Sequence, residues 1–471
     1  MSRRELQGVV ALGVALRLLL LWLSGNPDPR HDEKTYVFLA LEWNRFGVYL
    51  DWERFLWPPG YPWLIAAALR LFGEHGLLAV KVAQCAADGV VGASVAALAS
   101  SWFSPRAGRI AAWLWAGFVP LAVYSHFLFT ETLFLALLAP ALVLLVRAAD
   151  EPAERAALRG AAGAGLLLGL AVLTRELALW LLVAGAAWLA FAAWRQGALA
   201  AIRRALLVPL AAAVVVLPWA LRNADVYGEA IASGLTLGEN CFKGLNRDYR
   251  NLELLDLEEL KGVQGRRSSE GACFGRPWLV APPDEPEWER PIGIEQAVAR
   301  LDETARRGLA YARAHPGWFL RVGIQKVADL VAPRSFLLRS LALKDYAGPI
   351  ARPAVARPLI AISTIEHVAL LLLAAAGAAA LPSARGRALA LTVVGCVVAT
   401  GFLVALSRYF LPALPVCLAL AAGAASGPRA VFATRGRVAL AVAGAALLIA
   451  LWWIGAPGTV ALLSQAWSPP A

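Results

Sequence analysis

The acidic pair Asp32-Glu33 lies only a few residues beyond the first long apolar stretch of the chain. A carboxylate beside a lipid bilayer is costly unless it holds a metal ion, a cation or a proton. Glu131 precedes a later apolar stretch, and Arg175 and Arg408 each border another. Carboxylates can serve as a general base or hold a divalent cation, whereas arginine binds phosphate through its planar fork. This combination indicates chemistry on a phosphate-linked substrate at the level of lipid headgroups.

The apolar stretches themselves indicate a membrane protein. Hydrophobic residues make up 59% of the 471-residue chain and charged residues only 16%, against roughly 25% charged in soluble proteins. Because about 20 apolar residues cross a bilayer, we predict an all-α polytopic membrane protein with about 11 transmembrane helices, in a range of 11 to 13. The predicted helices cover residues 7–24, 82–101, 110–129, 132–146, 160–174, 177–194, 205–221, 358–381, 388–407, 409–426 and 438–456.

The net charge of +11 comes from basic residues spread over short loops. This pattern is typical of membrane orientation rather than of nucleic-acid binding, so we expect no nucleic-acid partner. Under the positive-inside rule the arginine-rich short loops lie in the cytoplasm. The N-terminus is then cytoplasmic, and the two long loops, 25–81 and 222–357, lie on the extracytoplasmic side of the plasma (inner) membrane. The first helix lacks a small-residue cleavage site, so we expect it to be retained.

The long loops divide the chain into three predicted parts. Residues 1–221 form an N-terminal transmembrane module that includes the first outer loop, 25–81. Residues 222–357 form a second outer loop with amphipathic helices, and residues 358–471 form the C-terminal transmembrane helices.

Several loop segments have their own predicted features. Residues 34–46, 63–73 and 317–333 are amphipathic and are expected to lie in the membrane interface, and a further helix is predicted over 295–314. Cys241 and Cys273 lie in the second outer loop. An oxidising environment outside the membrane would allow them to form a disulfide, with two free thiols as the alternative.

The predicted topology places three carboxylates and four cations at the outer face: Asp32, Glu33, Lys81, Glu131, Arg175, Arg222 and Arg408. The acids are candidate catalytic residues, and the cations, together with Tyr409, are candidate ligands of a donor phosphate. A Mg²⁺ or Mn²⁺ ion held by Asp32, Glu131 and His126 is one alternative, and catalysis without a metal is the other. Arg17 and Asp88 lie within predicted helices, where they can pair with each other.

Short motifs follow one another in a fixed order along most of the chain. They are His31-Asp32-Glu33-Lys34-Thr35-Tyr36, Pro58-Pro59-Gly60-Tyr61-Pro62, Leu71-Phe72-Gly73, Val80-Lys81-Val82, Thr130-Glu131, Leu170-Ala171-Val172-Leu173-Thr174-Arg175, Pro218-Trp219 with Arg222-Asn223, Ala310-Tyr311 with His315-Pro316, and Arg408-Tyr409 with Leu411-Pro412. In this order they resemble the GT-C glycosyltransferases that use polyprenyl-phosphate sugars, in particular the protein O-mannosyltransferase and aminoarabinose transferase group. The chain departs from that group at Glu176, where the family usually has proline, and at Lys81, where arginine is frequent.

The resemblance implies a bacterial membrane glycosyltransferase with a lipid-linked sugar donor and transfer on the outer face. It assigns Asp32 as the catalytic or metal-binding carboxylate, with Glu33 beside it and Glu131 as the second acid. It implies that the four cations contact the donor phosphate. The expected enzyme is an inverting hexosyl- or pentosyltransferase whose acceptor is a hydroxyl or amine of a protein, lipid or glycan. The alternatives are a transporter or flippase of lipid-linked sugars and a noncatalytic membrane subunit.

Overall fold

The computed structural model describes residues 1–30, 32–47, 49, 57–228, 230–234, 309–404 and 407–467. Regular structure in these residues is entirely helical, which confirms the predicted all-α class. His31, Cys241, Cys273 and most of the predicted helix over 295–314 lie outside the described residues.

The α-helices are α1 (Arg3–Ser24), α2 (Asp32–Phe46), α3 (Gly60–Phe72), α4 (Gly76–Trp102), α5 (Pro105–Gly117), α6 (Val119–Ala122), α7 (Thr130–Asp150), α8 (Glu154–Val172), α9 (Leu177–Ala193), α10 (Ala198–Tyr227), α11 (Pro316–Leu330), α12 (Phe336–Ala342), α13 (Pro353–Ala380), α14 (Ala384–Leu403), α15 (Leu414–Ser426), α16 (Pro428–Val431) and α17 (Arg435–Trp467). Short 3₁₀ turns extend several of them, including Val123–His126 after α6 and Ser407–Ala413 before α15.

Ten helical stretches in the described part of the chain are long and apolar enough to cross a membrane, and the bent pair formed by α5 and α6 makes an eleventh. These stretches correspond one to one with the predicted spans. The prediction of one continuous helix over 110–129 is wrong, because the chain bends by 56° between α5 and α6. Phe118 leaves the helical conformation at ψ 94°, and Pro120 cannot donate the backbone hydrogen bond that a continuing helix needs.

Three short helices cover the segments predicted to be amphipathic. They are α2, α3 and α11, with 15, 13 and 15 residues, each shorter than the roughly 20 residues that cross a bilayer. The α3 helix reaches α4 through the 3₁₀ turn Gly73–His75. The location of these helices in the membrane interface stays a prediction.

Two charged residues inside apolar helices, Arg17 on α1 and Asp88 on α4, form a buried ion pair. Trp115 donates from its indole Nε1 to Asp88 Oδ1 at 3.4 Å, and Arg17 donates to the carbonyls of Trp115 and Ala116. The pair is fully enclosed and joins α1, α4 and α5. Because a buried ion pair must be satisfied by close partners, these charges hold helices together and do not line a transport pathway.

Close contact between α8 and α10 sets the position of the chain that follows α8. A Cβ atom at Gly165 would lie 2.3 Å from the backbone oxygen of Val208 on α10, and one at Gly169 would lie 2.8 Å from the oxygen of Ala212. Small residues allow helix backbones in membranes to approach in this way.

Replacement of Gly165 by alanine therefore forces α8 and α10 apart. We expect Gly165→Ala to destabilise the protein by about 1–3 kcal/mol, the usual cost of overpacking. The matched control is Gly163→Ala on the same helix, where the new Cβ meets only the flexible tip of Leu144 at 3.1 Å. Thermal unfolding in detergent compares the two variants, and equal melting temperatures would contradict the packing argument.

Candidate active site

A pocket lies where the N-terminal part of α2 meets the ends of α7, α8 and α14. Its lining residues are Tyr36, Trp57, Pro58, Thr130, Thr174, Arg175, Glu176, Leu177, Thr400, Arg408 and Tyr409. Two guanidinium groups, three threonines and three aromatic residues thus share one cavity wall. Such a wall can bind a polar, anionic group with an attached ring.

Asp32 is joined to the pocket through Arg408. The Arg408 Nη2 atom donates to Asp32 Oδ2 at 2.6 Å. The Asp32 and Arg408 side chains are 30% and 20% exposed, so a ligand in the pocket can reach this pair. Asp32 is the first residue of α2, where the helix dipole favours a negative charge.

Glu131 lies behind Arg175, the second arginine of the pocket wall. Its carboxylate is 2.5 Å from Arg175 Nη1 and 3.8 Å from Arg408 Nε, and the glutamate is buried. Arg175 also donates from Nη1 to the Thr130 hydroxyl at 2.9 Å. Glu131 therefore connects the two arginines. Together with Asp32, these side chains form a network of two carboxylates and two guanidinium groups.

Aromatic rings fix the orientation of both guanidinium groups. Arg175 lies 5.6 Å from the centre of the Tyr409 ring, and Arg408 lies 5.6 Å from the centre of the Phe129 ring. Such cation–π contacts are favourable within about 6 Å. Tyr36 completes the wall, and burial together with the nearby charges of Asp32 and Glu131 raises the pKa of its phenol. Tyr36 therefore keeps its proton and can donate a hydrogen bond.

Arg175 is placed by the turn that ends α8. The Arg175 amide donates to the carbonyl of Ala171 at 2.8 Å, and the Thr174 hydroxyl donates to the carbonyl of Leu170 at 2.9 Å. At the start of α3, the Gly60 amide donates to the carbonyl of Leu173 at 2.7 Å. This last bond ties the first long loop to the turn that carries Arg175.

Glu33 does not face the pocket, although it follows Asp32 directly. Its buried carboxylate accepts from the backbone amides of Leu128 at 2.7 Å and Arg30 at 2.9 Å. It thereby joins the start of α2 to the segment that leads into α7. The geometry favours a supporting role for Glu33 over the predicted catalytic one.

Burial raises the pKa of the Glu33 carboxyl above its usual value of 4.5, although the two amide bonds and the charge of Lys81 oppose the rise. The folded protein therefore holds this proton more tightly than the unfolded chain does. A raised pKa of this kind contributes stability below the unfolded pKa, and the contribution is lost as pH rises through the folded pKa.

A comparison of wild type with Glu33→Gln isolates this effect, because glutamine does not titrate. We expect the melting temperature of wild type, relative to that of the variant, to fall as pH is raised from about 4 to about 7. Differential scanning fluorimetry across that range provides the measurement. A difference that rises with pH would show that the carboxylate is stabilised as an anion instead.

Two of the predicted donor cations lie away from the pocket wall. Lys81 is buried and donates from Nζ to Asn26 Oδ1 at 2.8 Å and to the carbonyl of Pro27 at 3.3 Å. Arg222 donates from Nη2 to the carbonyl of Tyr49 at 2.5 Å and stacks over Trp219 at 5.0 Å. In this structure Lys81 supports the turn before α2, and Arg222 supports the chain just after α2 at Tyr49.

The residues suggested as metal ligands are not brought together. Within the described residues, no three His, Cys, Asp or Glu side chains are placed to share an ion. His126 is fully buried in the 3₁₀ turn after α6, near Lys81 and Arg17. Asp32 and Glu131 each contact a guanidinium group, and a divalent cation between them would meet those positive charges. Among the described residues, Asp32 and Glu131 thus bind arginine side chains and do not meet His126 at a shared site.

The sequence indicated some pocket residues less directly. Thr130 and Tyr36 belong to the ordered motifs, next to Glu131 and one helical turn after Asp32, but the motifs alone assign them no role. Thr400 lies near the end of α14, and only the folded structure identifies it, because its apolar surroundings in the sequence give no signal.

Fold and site together define a polytopic helical membrane protein with a carboxylate–guanidinium pocket. The model of the dolichyl-phosphate-mannose-protein mannosyltransferase family matches residues 57–221, a region that includes Glu131 and Arg175. The chain is 33% identical over 238 residues to the undecaprenyl phosphate-alpha-4-amino-4-deoxy-L-arabinose arabinosyl transferase of Pseudomonas aeruginosa (strain LESB58), across 48% of this chain and 43% of that protein. The chain thus spans less than half the length of the curated relatives that it matches. These matches confirm the resemblance predicted from the motifs.

Two solved structures also align with this chain. The crystal structure of the Archaeoglobus fulgidus oligosaccharyltransferase tethered with an acceptor peptide aligns with a TM-score of 0.49 and 14% identity, over 99% of this chain and 55% of that one. The crystal structure of ArnT from Cupriavidus metallidurans in the apo state aligns with a TM-score of 0.37 and 18% identity, over 88% of this chain and 78% of that one.

Proposed function

We propose that this protein is an integral membrane glycosyltransferase. It moves a sugar from a polyprenyl-phosphate donor to a hydroxyl or amine of a protein, lipid or glycan at the extracytoplasmic face of the inner membrane. The observation that carries the proposal is the pair Asp32–Arg408 beside the pair Glu131–Arg175 at one pocket. The names of the matching family and relative, which contain dolichyl-phosphate-mannose and undecaprenyl phosphate, support this class of donor.

The proposed reaction is a single displacement. The acceptor oxygen or nitrogen attacks the anomeric carbon while the bond from that carbon to the phosphate oxygen breaks, which inverts the anomeric configuration. Asp32 takes the proton of the acceptor as a general base. Polyprenyl phosphate leaves with the bonding electrons, and Arg175 and Arg408 stabilise the negative charge that develops on it.

The ion pairs of the pocket suggest how donor binding prepares the base. Arg408 contacts Asp32 at 2.6 Å in this structure. A donor phosphate in the pocket competes for the same guanidinium group, since arginine binds phosphate through two parallel hydrogen bonds. When Arg408 turns to the phosphate, Asp32 loses a positive neighbour and becomes a better proton acceptor.

Replacement of Asp32 by asparagine removes the proposed base and keeps the shape of the side chain. We expect Asp32→Asn to lower kcat by about 10²–10⁴-fold, the usual contribution of general base catalysis, with the protein still folded. The assay follows release of free polyprenyl phosphate from radiolabelled donors that carry mannose or aminoarabinose, with protein, lipid and glycan acceptors. Asp28→Asn is the matched control, because Asp28 is an exposed acid four positions earlier. Full activity of Asp32→Asn would remove the catalytic assignment.

The balanced charges of the pocket lead us to propose transfer without a divalent metal. Arg175 and Arg408 supply the positive charge that Mg²⁺ or Mn²⁺ would otherwise bring to a phosphate. We expect activity with EDTA to stay within about twofold of that without it, and added Mg²⁺ or Mn²⁺ to have no larger effect. Loss of activity with EDTA, restored by one of these ions, would contradict this proposal but not the transfer itself.

A further inference from the structure

The segment Phe127–Phe129 connects the 3₁₀ turn after α6 to α7. Phe127 and Phe129 are extended, with ψ angles of 154°, and all three residues are buried. The backbone groups of a buried extended segment need hydrogen-bond partners, and an isolated segment has no neighbouring strand to supply them. Side chains from other helices supply them here.

Gln84 on α4 is the main source of these bonds. Its Nε2 atom donates to the carbonyl of Phe127 at 2.8 Å and to the carbonyl of Ser125 at 3.3 Å. Its Oε1 atom accepts from the Tyr61 hydroxyl at 2.7 Å. The amide is buried among apolar helices. Its NH₂ end faces the segment because both partners there are carbonyl acceptors, and the Tyr61 hydroxyl holds the oxygen at the other end.

A second helix holds the same segment from another direction. Glu33 on α2 accepts from the Leu128 amide at 2.7 Å. The carbonyl and amide groups of two consecutive residues are therefore fixed by Gln84 and Glu33. Tyr61 packs edge-on against Tyr36 at 5.3 Å, which connects this support to the pocket wall.

The segment leads directly into the two residues that contact Arg175. Thr130 and Glu131 form the first turn of α7, and α7 has no side-chain cap of its own at Phe129. The position of these two residues therefore depends on the backbone that precedes them. A shift of that backbone moves the Glu131 carboxylate relative to both arginines.

We infer that Gln84, oriented by Tyr61, is a positioning residue that holds the Phe127–Phe129 segment so that Glu131 meets Arg175 and Arg408. Gln84 touches no reacting group and acts through the backbone. The effect on transfer rests on the proposed function, whereas the effect on the segment does not. Misplacement of a catalytic group by about 1 Å can slow a reaction by about 10²-fold.

Gln84→Leu tests the inference, because leucine keeps the bulk and removes all three hydrogen bonds. Hydrogen–deuterium exchange of the peptide that contains Phe127–Thr130 should become faster in this variant than in wild type. In the transfer assay, kcat should fall by about 10–100-fold while the donor KM stays within about threefold. Ser94→Ala is the matched control, because Ser94 is a buried residue of the same helix whose hydroxyl donates to the carbonyl of Val90, one turn earlier in that helix.

Tyr61→Phe is the milder variant in case Gln84→Leu does not fold. It removes one bond, keeps both bonds from Gln84 to the segment, and should lower kcat by about two- to fivefold with faster exchange of the same peptide. Unchanged exchange in both variants would overturn the inference. Equal losses of activity in Gln84→Leu and Ser94→Ala would overturn it as well, since the effect would then be general destabilisation. If wild type transfers no sugar from any donor, the proposed function fails, and the exchange measurement still decides whether Gln84 holds the segment.

Discussion

The candidate site depends on the ion pair between Asp32 and Arg408, which joins residues 376 positions apart. The Asp32 and Arg408 side chains are only 30% and 20% exposed, and charges that are largely withdrawn from water are favourable only when they are paired. The start of α2 and the turn after α14 must therefore meet. The helix packing that brings this pair together also brings together the ends of α7 and α8. The pocket therefore forms as a direct result of how the bundle packs.

Glu131 links the two ion pairs into one network. Its carboxylate is within 4 Å of both Arg175 and Arg408, and it is the most enclosed member, since Asp32 and Arg408 are partly exposed. A network of this kind responds to a ligand as a unit, because each charge sets the field at the others. An incoming phosphate that engages Arg408 would weaken its bond to Asp32. The buried glutamate would keep the arginines in place while the exposed aspartate changes partners.

The sequence predicted the number of spans and the helix ends that carry the charges, because long apolar runs and the charges that border them are local features. It did not predict which charges meet. Lys81 and Arg222 lie at helix ends like Arg175, yet their side chains contact backbone carbonyls outside the pocket wall. That outcome depends on the rotation of each helix and on the path of the adjoining turns, which long-range packing decides. Gln84 has no sequence signal, because one amide within an apolar helix does not show which backbone it will support.

The pair Asp32-Glu33 shows how two neighbouring acids acquire different roles. Successive residues of an α-helix point about 100° apart, since one turn takes 3.6 residues. At the start of α2 this rotation directs Asp32 towards Arg408 and Glu33 towards the Leu128 amide. The first carboxylate is partly exposed beside the pocket, and the second is buried and bound to backbone. The same residue chemistry thus supplies a candidate base and, one position later, the support that orders the approach to Glu131.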